Sequence, residues 1–250
     1  MRTCQLGLVA VAVLGACNLA HAGIVISYAE APGDLNSRLA NTSVMTFDSL
    51  TAGTHTNVVW TGVGTYDTLR VHTPDRYGAA GGTGMYAVQS TSSVAVTTLT
   101  FNTQHAYFGL WWSAGDNANL LKFYNGATLI ASFDTAQLPA KLPSAYFGNP
   151  SGVYVGQNKN EPYAFLNFFG DENNTWDKVV FTNLGTSGFE SDNHTDRVAP
   201  WTSADGPMPG VVFAYADGSG VTLMVPEPAS LTLLAAGAVG LLLRRRRMTR

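Results

Sequence analysis

Between Leu120 and Phe133 the chain reads Leu-Leu-Lys-Phe-Tyr-Asn-Gly-Ala-Thr-Leu-Ile-Ala-Ser-Phe. Two apolar runs flank Asn125-Gly126, a dipeptide that accepts positive φ in a tight turn, and the pattern predicts a β-hairpin. Outward from this hairpin, short stretches rich in β-branched and aromatic residues recur. They are Ser43 to Phe47, Tyr66 to Val71, Val94 to Phe101, Ala106 to Trp112, Tyr163 to Phe169, Lys178 to Thr182 and Val211 to Tyr215. Turn residues separate them, and the 26 glycines and 11 prolines suit short strands better than long helices. Between Gly23 and Val225 no apolar 3.6-residue period is sustained over three turns, and no internal repeat is visible. The reading is one all-β domain, an antiparallel β-sandwich of jelly-roll type.

The longest region without a strand pattern runs from Ala136 to Asn160 and carries three prolines, Pro139, Pro143 and Pro150. Such a loop over a sandwich edge is where binding residues collect. Gly78 to Gly84 is a glycine-rich connector that lacks the Gly-Lys-Ser/Thr ending of a phosphate loop.

The two ends read as addresses. Arg2, an apolar run from Leu6 to Ala16, and Ala20-His21-Ala22 before Gly23 form a three-part secretory signal peptide cut after Ala22. Leu14-Gly15-Ala16-Cys17 also has the outline of a lipobox that would acylate Cys17, although glycine at its second position departs from the usual pattern. Eleven apolar residues fall short of the ~20 that span a membrane. At the other end, Pro226-Glu227-Pro228 precedes an apolar stretch from Ala229 to Leu243 and then Arg244-Arg245-Arg246-Arg247. That stretch, read as a short transmembrane helix, covers about 22 Å of a ~30 Å hydrocarbon core and is a poor permanent anchor. The arginines hold the terminus in the cytoplasm, which leaves Pro-Glu-Pro at the outer face. The division is therefore a signal peptide over 1–22, a β domain over 23–225 and a sorting signal over 226–250.

Only 12% of the residues are charged, well below the roughly 25% of an average chain. Without its two ends the body holds 8 Lys and Arg against 16 Asp and Glu, a formal charge of −8 that the overall −3 hides. Such a body repels phosphate backbones and anionic headgroups, which excludes nucleic-acid and peripheral membrane binding. Both cysteines, Cys4 and Cys17, lie in the signal peptide. A cut after Ala22 thus excludes disulfides, thiol catalysis and cysteine-ligated metal.

Val225-Pro226-Glu227-Pro228-Ala229-Ser230, the short apolar segment and the arginine cluster resemble the PEP-CTERM sorting signal of Gram-negative bacteria. The resemblance implies processing by an exosortase, a membrane protease, in cells that make extracellular polysaccharide. It also implies transient residence in the inner membrane through the C-terminal helix. Several body segments resemble a family of exosortase-dependent surface proteins without assigned activity. They include Phe47-Asp48-Ser49-Leu50, the Tyr77–Gly84 stretch, Phe108 to Asp116, Glu161 to Phe169 and Gly188 to Thr195. The function implied is that of an exported cell-surface or matrix protein, structural or glycan-binding, associated with exopolysaccharide. The alternative is a polysaccharide-active hydrolase or lyase on the same scaffold.

Three groups of residues are candidates for chemistry. Trp111 and Trp112, followed by Asp116 and Asn117, suit a sugar, since aromatic faces stack on rings while carboxylates and amides bond hydroxyls. Alternation puts one of the tryptophans on the core face, and the other needs cover from a loop, a partner or a ligand. Core packing of both is the commoner arrangement. Asp48, Glu190, Asp192 and Asn193 are oxygen ligands for a structural Ca²⁺ if an early strand ending at Asp48 lies beside the late segment. The alternative is that they cap a strand and form a turn. Asp171-Glu172 and Glu190 with Asp192 could serve as paired carboxylates for glycoside cleavage, although acidic residues in turns are common. No Gly-x-Ser-x-Gly or His-Glu-x-x-His occurs, and His55, His72, His105 and His194 lack ligand spacing.

Overall fold

The computed structural model describes residues 23–224. In chain order its strands are β1 (Ile24–Tyr28), β2 (Ser43–Met45), β3 (Gly53–Trp60), β4 (Gly64–His72), β5 (Tyr86–Gln89), β6 (Val96–His105) and β7 (Tyr107–Ser113). They continue as β8 (Asn119–Asn125), β9 (Thr128–Asp134), β10 (Ala164–Phe169), β11 (Trp176–Asn183), β12 (Phe189–Arg197), β13 (Val211–Asp217) and β14 (Gly220–Leu223). Every pairing is antiparallel, and the only helical pieces among the described residues are single 3₁₀ turns. The all-β antiparallel fold is the one the sequence predicts.

The hydrogen-bonded path runs β14-β13-β1-β10-β7-β12-β5-β4-β6-β11-β8-β9, with β2 also on β12 and β3 on β4. Its two ends meet, with β9 packed against β13 and β14. Rings from the two layers interleave between them. Phe168 of β10 lies 5.1 Å from Phe123 of β8 and 5.3 Å from Phe133 of β9, centroid to centroid. Such edge and tilted contacts add to the burial of large aromatic surfaces.

The deciding hairpin forms as β8 and β9, with one shift. Asn125 pairs with Thr128, so the two loop residues are Gly126 and Ala127, one position later than the Asn-Gly reading places them. Gly126 takes φ 58°, as a first loop position of this class requires. Both carboxylate oxygens of Asp177 accept its amide at 3.0 Å. A tertiary acceptor thus fixes the turn, and Asn125 is left to end β8.

Five strands escape the sequence pattern. The residues of β1 are nearly all buried because β1 lies between β10 and β13, so they show no alternation. β3 carries a residue at positive φ, Asn57, that breaks its period. β5 and β14 have only four residues each. β12 is polar from Glu190 to Arg197 and shows no apolar period. The strandless loop is found as expected, and its 3₁₀ turns at Pro139–Lys141, Ser144–Tyr146 and Gly152–Tyr154 give it shape. Leu138, Leu142 and Tyr146 anchor it in the main core.

The signal peptide, the acylation motif at Cys17, and the tail with Pro226, Glu227, Pro228 and Arg244 to Arg247 lie outside the described residues. Among the described residues no helix is long and apolar enough to cross a membrane.

Candidate functional site

Strand β12 reads Phe-Glu-Ser-Asp-Asn-His-Thr-Asp-Arg, and six consecutive polar residues, Ser191 to Asp196, are buried. Burying polar groups costs free energy unless each finds a partner. β12 holds them because it lies between β7 on one side and β5 and β2 on the other. A bulge lets it serve both faces: Asp192 pairs with Trp111 and Thr195 with Gly109, and Asn193 takes φ 45° at the extra residue. Before the bulge, Glu190 and Asp192 face outward; after it, His194 and Asp196 face inward.

On the inner side, His194 sits among Phe47, Tyr66, Phe108 and Phe181. Its Nδ1 bonds the Tyr66 hydroxyl at 3.0 Å and its Nε2 the Ser191 hydroxyl at 2.9 Å. Burial lowers its pKa to about 3, so this imidazole is neutral and structural. Asp196 approaches His105, with Oδ1 2.6 Å from Nδ1. Burial raises the Asp196 pKa, and the His105 contact opposes that rise.

On the outer side the glycine-rich connector closes over β12. Its backbone takes positive φ at Ala79, Gly81, Gly82 and Gly84. Ala80 donates its amide to Asp192 Oδ2 at 2.8 Å, and Met85 donates to Asp48 Oδ1 at 2.8 Å. The loop does donate amides to acidic side chains, but they are the chain's own, Asp192 and Asp48. Gly84 is required there, since a Cβ would lie 2.1 Å from Asp48 Oδ1.

The four expected calcium ligands are only partly gathered. β2 does pair with β12, and Asp48 lies close enough to Asp192 to raise its pKa. Burial is the larger cause and takes Asp192 to about 8 against its two amide donors, Ala80 and Asn193. Asn193 turns its side chain elsewhere, donating Nδ2 to Leu35 O and Asn36 Oδ1 at 2.9 Å. Glu190 is raised to about 8 by burial and then by Asp116, Glu161 and Asp75, a different set of neighbours. Among the described residues no three His, Cys, Asp or Glu side chains are placed to hold a metal ion. Of the four, Asp48 and Asp192 tie down the glycine-rich loop, while Glu190 and Asn193 turn to other partners.

Both tryptophans of the expected sugar platform lie in the interior, the commoner of the two arrangements. Trp111 and Trp112 do point to opposite faces, but both are 0% exposed. Trp112 enters the main core and donates Nε1 to Asn119 Oδ1 at 2.7 Å. Trp111 is covered by a loop layer that includes Leu35, Tyr77, Ala80 and Tyr163. Neither indole offers a face to a sugar. Asp116 accepts the Ala118 amide and bonds Ser187, while Asn117 is exposed. Asp171 accepts the amides of Asn173 and Asn174, so Asp171-Glu172 is turn chemistry.

Sequence reasoning missed the His105–Asp196 pair, because the two residues are far apart in the chain and meet only through the fold. It also missed that Trp111 Nε1 and Ser113 Oγ are buried with no hydrogen-bond partner. Trp111 and Ser113 pair across the ladder with Asp192 and Glu190.

Comparison with known proteins adds one decisive match. Residues 225–247 match the PEP-CTERM protein-sorting motif. The chain carries a PEP-CTERM sorting signal. This signal implies export, surface sorting and processing by an exosortase. Its match begins two residues after β14 ends at Leu223. No curated protein matches the chain. A solved structure, the catalytic domain of a GH87 alpha-1,3-glucanase variant in complex with tetrasaccharides, aligns at 14% identity with a TM-score of 0.35. The alignment covers 70% of this chain and 30% of that one.

Proposed function

We propose that the chain is an exported protein of the Gram-negative cell surface whose β domain serves the exopolysaccharide matrix as a structural or glycan-binding component. The PEP-CTERM signal carries this reading. The Pro-Glu-Pro element, the short apolar segment and the four arginines follow in the order that a removable anchor needs. In this reading Ala22-Gly23 is the signal peptidase site, and the exported chain begins one residue before β1. Ile24 and Ile26 of β1 are fully buried between β10 and β13, so the domain needs its first residues to complete its core. A body without cysteine folds without an oxidant. Its acidic surface keeps it off anionic headgroups once the tail is gone.

The test replaces Pro226-Glu227-Pro228 by alanines in the full chain and follows the protein by fractionation. Export should persist while the tail stays uncut and the protein accumulates in the inner membrane. Normal tail processing in that variant would overturn the exosortase reading.

A further inference from the structure

The hairpin of β8 and β9 carries the chemistry for a change to its own backbone. Asn125-Gly126 is the only Asn-Gly step in the chain. Asn125 is half-buried and Gly126 exposed, so water reaches both. An asparagine followed by glycine sets a carboxamide carbon beside a backbone nitrogen that no Cβ of its own residue obstructs. The surroundings do not crowd it either, since a Cβ built on Gly126 meets nothing within 4 Å.

Three side chains from other positions act on this step. Asp177 accepts the Gly126 amide at both carboxylate oxygens, each 3.0 Å away. Gln104 donates Nε2 to Asn125 Oδ1 at 2.8 Å, and Lys178 donates Nζ to Gly126 O at 3.2 Å. The Gly126 nitrogen becomes a nucleophile only when it gives up its proton. A carboxylate is too weak a base to remove an amide proton, so the Asp177 contact keeps that proton in place, and its charge disfavours the amide anion. Gln104 and Lys178 act in the opposite sense. Gln104 puts a donor on the oxygen that carries negative charge during attack, and the Lys178 ammonium favours negative charge nearby. Asp177 is thus the one of the three that opposes reaction.

We propose that Asn125 is a modification site, open to intramolecular deamidation, and that Asp177 is the residue that restrains it. Hydroxide takes the Gly126 amide proton, and the nitrogen forms a bond to Asn125 Cγ. The Cγ–Nδ2 bond breaks, and the leaving nitrogen takes a proton from water to depart as ammonia, which returns the hydroxide. One water then opens the cyclic imide at either of its carbonyls. The product is aspartate or isoaspartate at position 125, with nothing oxidised or reduced. Either product sets a second carboxylate beside the Asp177–Gly126 contact. Isoaspartate also adds one methylene to the main chain where Asn125 pairs with Thr128, which loosens the end of the hairpin.

The test incubates the exported protein at neutral pH and follows each asparagine by peptide mapping with mass spectrometry. Asp177→Ala should convert Asn125 about tenfold faster than the unsubstituted protein does, the factor that the loss of one charge-assisted hydrogen bond gives. Asn125 should also be the first asparagine to convert in that variant. Asp177→Asn keeps an oxygen acceptor without the charge and guards against a variant that fails to fold; its rate should fall between the two. In urea, where the contact is absent, the unsubstituted protein and Asp177→Ala should convert Asn125 at the same rate. Equal or slower conversion of Asn125 in both folded variants would overturn the proposal. So would a variant Asp177→Ala in which another asparagine converts ahead of Asn125.

Discussion

Raising the pH from 6.5 to 7.5 should destabilise this domain, and the reason lies in two outward-facing carboxyls of β12. Burial raises both Glu190 and Asp192 to about 8. In the unfolded chain both ionise near 4. The folded state therefore holds protons that the unfolded state has lost. The stability they confer is complete below the unfolded pKa and is lost as pH rises through the folded one. His194 acts in the opposite sense: its pKa is lowered to about 3, so its contribution is complete above about 6.5 and is lost as pH falls. Between 6.5 and 7.5 the two carboxyls outweigh His194, whose unfolded form binds about half a proton at pH 6.5 and about a tenth at 7.5. Near pH 7 the two groups retain close to two extra protons, which at 1.36 kcal/mol per proton gives a slope of about −2.5 kcal/mol per pH unit. Urea unfolding of the exported protein at fixed ionic strength measures it. The double substitution Glu190→Gln with Asp192→Asn removes both titrations and should cut the slope by at least half. A flat or rising stability over this window, or a slope unaffected by the double substitution, would refute the reasoning.

Two further contrasts follow from single contacts. Trp112→Phe leaves the buried Asn119 Oδ1 without its indole donor and should cost about 1–3 kcal/mol more than Trp111→Phe, whose Nε1 has no partner to lose. Denaturation curves of the two variants decide it, and equal losses would contradict the assigned hydrogen bond. Gly84→Ala meets Asp48 at φ +81° and should cost about 2–3 kcal/mol, whereas Gly126→Ala at φ +58° meets nothing within 4 Å and should cost about 1. The reverse order would show that Asp48 does not hold the glycine-rich loop as described.

What could be read in the sequence was what local physics decides. The Leu120–Phe133 hairpin was legible because alternation and a turn dipeptide act within a few residues, although Asp177, far along the chain, moved the turn by one position. The strandless region from Ala136 to Asn160 was legible from its prolines. Strand β12 was not, because a run from Glu190 to Arg197 without an apolar period reads as a turn until its partners are known. Tyr66 and Phe181, which make room for His194, and His105, which meets Asp196, come from other strands. The same limit governed the candidate sites. Asp48 and Asp192 do come near each other, but the amides of Ala80 and Met85 occupy them, which no local pattern foretells. Alternation put one tryptophan of the pair off the core face but could not say that it is Trp111 or that Leu35, Tyr77 and Tyr163 cover it.

The central claim is that this chain is exported, trimmed at both ends and left at the cell surface. Intact mass spectrometry of the native protein recovered from the surface fraction tests it most directly. The account predicts a chain that begins at Gly23 and ends before Arg244, with the mass of any attached group at the new C-terminus. A surface or membrane protein that retains Arg244 to Arg247 in its intact mass would contradict it.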